Sequence, residues 1–167
     1  MQVKLLSGAL GAEIGGINLK DTSSKNFELI NNLLLEHKVL FLRNQHITFE
    51  EQIALAKCFG PLERHVYVKG RDKYPEIVRT TKGANEKHQW GETWHTDVSY
   101  NVKPTKVIVL KSIIIPPVGG DTMFSNMELA WDNRSVIHQG LTDFFPGRGL
   151  GYERIMDRIA IEGERPN

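Results

Sequence analysis

The sequence predicts a mainly β domain with flanking helices, an α+β arrangement. Apolar residues recur at helical spacing in the first part of the chain, and β-branched runs follow later. The 167 residues suffice for one domain with its own core. Phe27, Ile30, Leu33, Leu34 and His37 recur at helical spacing, so residues 26–37 read as an amphipathic helix. Residues 39–42 follow as a short buried strand. Thr48-Phe49-Glu50-Glu51 is a capping-box pattern that opens a second helix, running to about Phe59 and stopped by Gly60-Pro61. Residues 76–80 read as a short strand and the polar stretch 82–91 as a loop. Residues 106–115 are a β-branched strand closed by Pro116-Pro117-Val118-Gly119-Gly120. Further strands are expected at 121–125 and 154–161.

Composition narrows the function classes. The formal net charge is +1 with acids and bases interspersed, which gives no electrostatic footprint for nucleic acid. The apolar runs at 107–110 and 113–115 are far too short to span a bilayer. The first residues lack a long apolar stretch and include Glu13, so no signal peptide is expected. The single Cys58 excludes an internal disulfide framework and reads as a buried structural thiol. A cytoplasmic protein is the expectation.

The chemistry centres on Trp94-His95-Thr96-Asp97. If these residues are extended, His95 and Asp97 point to one side and can aim a ring nitrogen and a carboxylate oxygen at one point. A further histidine would complete a 2-His-1-carboxylate triad with three open positions, suited to non-haem iron(II). A lone His-x-Asp pair is common and by itself defines no site. Among the other histidines, His37 and His46 read as surface groups and His88 lies in the polar loop. His65 follows a Gly-Pro-Leu turn and could line a pocket, and His138 follows a Trp131-Asp132-Asn133-Arg134 segment. Strand periodicity puts Arg154, Met156 and Arg158 on one face. Taken alone, these arginines fit a half-exposed strand better than an anion-binding cavity.

The order of motifs adds a second line. Gly11-Ala12-Glu13-Ile14-Gly15-Gly16, the 39–45 segment, Phe59-Gly60-Pro61-Leu62, Trp94-His95-Thr96-Asp97, Gly119-Gly120-Asp121-Thr122, Trp131-Asp132-Asn133-Arg134 with His138, and Arg154 through Arg158 together resemble the taurine dioxygenase family. The resemblance covers almost the whole chain. It implies a double-stranded β-helix, or jelly roll, flanked by helices, in a single domain over 1–167. It also implies His95, Asp97 and His138 as iron ligands, Thr122 and Arg154 on the far carboxylate of 2-oxoglutarate, and His65 and Arg158 facing the substrate. Gly91 stands where the taurine enzymes carry asparagine, and the stretch between His138 and Arg154 is longer here. Both departures argue against taurine itself.

The family also carries a long stretch where Ala130 here runs straight into Trp131. The expected domain therefore lacks an internal segment at that junction. The implied activity is an Fe(II)- and 2-oxoglutarate-dependent dioxygenase that uses O2, hydroxylates a small anionic organic acid, and releases succinate and CO2. Expected substrates are sulfonates, sulfate esters or carboxylates, and the expected assembly is a homo-oligomer. A catalytically impaired remnant of the family is the alternative. A zinc hydrolase could use the same three ligands, but gives no reason for pairing Thr122 with Arg154.

Overall fold

The computed structural model describes residues 1–81, 93–98, 100–101 and 103–133, together with the backbone of a strand at 157–162. In chain order the elements are β1 (Gln2–Leu5), β2 (Ala12–Gly15), α1 (Ser24–His37), β3 (Val39–Arg43), α2 (Phe49–Cys58), β4 (Val107–Lys111), α3 (Met127–Asp132) and β5 (Asp157–Glu162).

Local chemistry sets the first helix. The Ser23 side chain accepts the Asn26 N–H at its N-terminus. Ile30, Leu33 and Leu34 form the stripe that it buries. Lys38, at φ 65°, sends its N–H back to the Leu34 carbonyl. This one left-handed residue ends the helix and lets β3 begin immediately, which is why helix and strand pack as a unit. The second helix carries the expected reciprocal cap. Thr48 Oγ1 accepts the Glu51 N–H at 3.2 Å, and the Glu51 carboxylate accepts the Thr48 N–H at 2.7 Å.

The strands form one five-stranded sheet in the order β1-β2-β3-β5-β4. β1 and β2 are antiparallel, and the other three pairings are parallel. Helix α1 lies against β3 and β5, and α2 against β4. The core gathers Ala12, Ile14, Leu19, Ile30, Leu34, Leu40, Leu42 and Leu55, all buried. Gln45 stitches its edge, with Nε2 donating to the Ile17 carbonyl and Oε1 accepting the Leu19 N–H. Among the described residues, no helix is long and apolar enough to cross a membrane.

The described residues form a mixed, mostly parallel sheet flanked by helices. A jelly roll needs about eight strands, and the described residues hold five. Two strands, β1 and β2, precede the helices; both are short, and their flanking glycines disguise them. Residues 76–80 are irregular because the Ile77 N–H closes a turn onto the Tyr74 carbonyl. Residues 121–125 are irregular too, following Gly119 and Gly120 at φ 77° and 75°. The strand expected at 106–115 is shorter, and the one expected at 154–161 is described from Asp157.

Trp131 belongs to α3. The junction at Ala130 lies inside that helix, where Asn126 caps the start and the Asn133 N–H reaches the Leu129 carbonyl. None of the residues of α3 is buried. It is held by polar contacts, Lys38 Nζ to the Glu128 carboxylate at 2.8 Å and Asn126 Nδ2 to the Ala9 carbonyl at 2.6 Å. Cys58 is only half-buried, its thiol directed at the Ala54 carbonyl one helical turn back. His37 is half-buried as well, with a side chain only 12% exposed.

Candidate metal centre and its surroundings

His95 and Asp97 sit in an irregular segment that ends in a turn, not in a strand. Their side chains converge all the same. His95 Nε2 lies 2.8 Å from Asp97 Oδ1, and the two side chains are 46% and 27% exposed, so solvent reaches the pair. The other ring nitrogen, Nδ1, lies 2.7 Å from the Thr93 carbonyl oxygen. A carbonyl only accepts, so Nδ1 carries the proton.

That assignment decides what Nε2 can do. With Nδ1 protonated, Nε2 faces the carboxylate either as an imidazolium donor or as a bare lone pair. Two lone-pair donors facing each other are stable only around a cation. A His that gives its second N–H to a carbonyl is the usual way a metal-binding imidazole is oriented. Two donors at right angles, about 2.1 Å from one ion, are about 3 Å apart. The observed separation fits that edge, so the two described donors suit a small divalent metal ion. Among the described residues, no group of three such side chains converges.

The backbone beside the pair is strained. Val98 has φ 53°, a left-handed conformation rare for a β-branched residue. Its carbonyl accepts the Asn101 N–H at 3.2 Å, closing a turn that carries Tyr100 back toward the preceding loop. Strain of this kind costs about 1–3 kcal/mol and collects at functional sites.

His65 belongs to that loop. Its Nδ1 accepts the N–H groups of Tyr67 and Val68, each at 3.2 Å. Nδ1 is therefore the unprotonated nitrogen, and Nε2 presents an N–H as a donor. The Tyr67 ring is 6.3 Å from the His65 ring and 5.6 Å from that of Tyr100. Thr105 Oγ1 donates to Glu63 at 2.8 Å and joins the same two segments. The structure thus brings His65, Tyr67 and Tyr100 together, three residues beyond Asp97.

Thr122 is exposed on the irregular segment between β4 and α3. The backbone of Arg158 lies in β5, in register with Val39 on one side and Ile108 on the other. His138, Arg154, His88 and Gly91 lie outside the described residues. Thr93, Tyr67 and Tyr100 were not singled out from sequence. The role of Thr93 rests on a carbonyl that every residue has, whereas Tyr67, two residues after His65, was open to recognition. A groove of about 380 Å3, lined by Leu6, Leu10, Phe41, Phe124 and Asn126 among others, contains none of the candidate residues.

Together these features describe an α+β protein with an imidazole and a carboxylate paired at a strained turn, whose Tyr100 ring meets Tyr67 of the His65 loop. Residues 2–135 match the family described as taurine catabolism dioxygenase TauD, TfdA, and the chain belongs to this family of α-ketoglutarate-dependent dioxygenases. His138, Arg154 and Arg158 lie beyond the matched stretch. The chain is 38% identical over 137 residues to an alkylsulfatase of Acinetobacter baylyi, covering 80% of this chain and 42% of that protein. It is 31% identical over 133 residues to an α-ketoglutarate-dependent sulfate ester dioxygenase of Pseudomonas putida, covering 78% and 43%. The crystal structure of a taurine dioxygenase from Burkholderia xenovorans superposes with a TM-score of 0.66 at 30% identity, covering 85% of this chain and 50% of that one. The chain therefore spans half or less of the length of these three relatives.

Proposed function

We propose that the protein is an Fe(II)- and 2-oxoglutarate-dependent dioxygenase that hydroxylates a small organic acid, with residues 1–167 acting as one domain. The observation that carries this reading is the His95–Asp97 pair, oriented by the Thr93 carbonyl. His95 Nε2 and Asp97 Oδ1 would hold the iron, with His138 as the third ligand. When bound, iron(II) supplies the redox chemistry by which O2 and 2-oxoglutarate yield succinate, CO2 and a hydroxylated substrate carbon. The chain supplies position and charge. Arg154 and Thr122 hold the far carboxylate of 2-oxoglutarate by charge-assisted hydrogen bonds. The Nε2–H of His65 and the guanidinium of Arg158 receive the acidic end of the substrate. The solvent-open rings of Tyr67 and Tyr100 would lie against its apolar part.

The substrate is proposed to be a sulfate ester, sulfonate or carboxylate, in keeping with the named activities of the relatives. Succinate release with Fe(II), 2-oxoglutarate and a panel of such compounds tests the reading. Turnover is expected with at least one alkyl sulfate or sulfonate. Preference for neutral or cationic compounds would contradict it. A catalytically impaired form is the second reading, favoured by an α3 without a buried residue beside the junction at Ala130. It predicts metal binding without succinate.

The two arginines are expected to separate by function. Arg154→Ala should weaken 2-oxoglutarate by about 2–4 kcal/mol, the usual cost of removing one partner of a close charge pair. Arg158→Ala should mainly weaken the acidic substrate. Calorimetric titration of each variant with 2-oxoglutarate checks the division, and equal losses would overturn it.

A further inference from the structure

The loop that carries His65 and Tyr67 has no helix or strand of its own. Between residues 61 and 81 the only ladder contact is a single bridge, Arg71 to Tyr74. Backbone hydrogen bonds close its far end into a compact turn, with Arg71 N–H on the Ile77 carbonyl and Tyr74 N–H on the Arg71 carbonyl. Gly70 is required there, because a Cβ would fall 2.1 Å from the Pro75 carbonyl oxygen.

This turn is fastened to the first turn of α2. The Arg71 guanidinium stands 4.5 Å from the centre of the Phe49 ring. The Tyr74 ring packs on the same Phe49 at 5.4 Å, and its hydroxyl donates to the Glu50 carboxylate. Lys111 Nζ, 5.4 Å from the Phe49 ring, donates to the Ile47 carbonyl and joins the end of β4 to the cluster. Helix α2 is a firm base, since Leu55 is buried and Gln52 Nε2 donates to the Val109 carbonyl at 3.0 Å. Nearer the candidate site, Arg64 pairs with Glu76 at 3.5 Å and couples the two ends of the loop.

We propose that Phe49, Glu50, Arg71 and Tyr74 form a latch that positions His65 and Tyr67, so that contacts on α2 set the shape of the substrate-facing loop. None of the four is buried, and none belongs to the hydrophobic core. Their contacts join loop to helix rather than filling the interior. The hydrogen bond from Tyr74 holds the Glu50 carboxyl below its ordinary range, and the same bond raises the Tyr74 phenol. Both directions favour a neutral phenol donating to a charged carboxylate. Tyr74 and Glu50 are thus positioning residues, acting through the loop and not on the substrate. The proposed link to substrate rests on the dioxygenase reading.

Tyr74→Phe removes only the hydroxyl and keeps the ring on Phe49. Glu50→Gln keeps an acceptor but removes its charge. Hydrogen–deuterium exchange of the full chain, with peptides over 61–81 compared with α1 and β3, reads the latch directly. In Tyr74→Phe, exchange in 61–81 is expected to rise about tenfold while α1 and β3 stay unchanged, with a smaller rise in Glu50→Gln. With hexyl sulfate as probe, KM should rise several-fold with kcat little changed. The Fe(II)–2-oxoglutarate absorption should match the parent. Unchanged loop exchange in both variants, or an equal rise across the chain, would overturn the latch. If the parent gives no succinate with any acidic substrate, the dioxygenase reading fails instead, and the exchange measurement still decides the latch.

Discussion

His95→Ala and Asp97→Ala are each expected to abolish the visible charge-transfer band that Fe(II) and 2-oxoglutarate give together without oxygen. Partners that merely orient a ligand are worth about 10–100-fold in metal affinity. Removing a ligand itself should therefore cost at least about 100-fold. Asp97→Ala also leaves His95 without the carboxylate 2.8 Å away, while Thr93 still holds the ring. Anaerobic titration with Fe(II) at fixed 2-oxoglutarate, followed by absorbance, checks the result. Persistence of the band in both variants would remove these residues from the metal site.

Leu40→Ala should be the most damaging single change to the fold. Leu40 is fully buried in β3, between Ala12 of β2 and residue 159 of β5. Truncating such a leucine costs about 2–5 kcal/mol through lost transfer energy and the cavity left behind. In a chain of this size that lowers the melting midpoint by about 5–15 °C. Thermal unfolding followed by circular dichroism measures it. A shift below about 2 °C would mean that β3 is not the central strand of the core.

The first 60 residues were largely legible because their signals are local. The stripe of Ile30, Leu33 and Leu34 and the Thr48–Glu51 box depend on spacing alone, and both appear in the structure. Strands β1 and β2 escaped notice because four residues offer too little periodicity, and their pairing partner lies across a turn. The 121–125 segment has strand-like residues, but it follows Gly119 and Gly120, both at positive φ, and stays irregular while Phe124 packs on Phe41 of β3. Trp131 is helical because the Asn126 cap and local hydrogen bonds close α3 around it.

Two things are written in the chain itself: the residue types that carry the chemistry, His95 and Asp97 two apart, and the motif order that identifies the family. Side-chain chemistry and spacing are properties of the chain and survive any folding. The orientation of that pair is a matter of the fold. The pair converges through a strained turn at Val98 and a carbonyl at Thr93, not through strand alternation. Tertiary structure also makes the sheet mostly parallel and rests the His65 loop on α2. These depend on pairings between residues far apart in the chain, which a local pattern of apolar and polar positions does not encode.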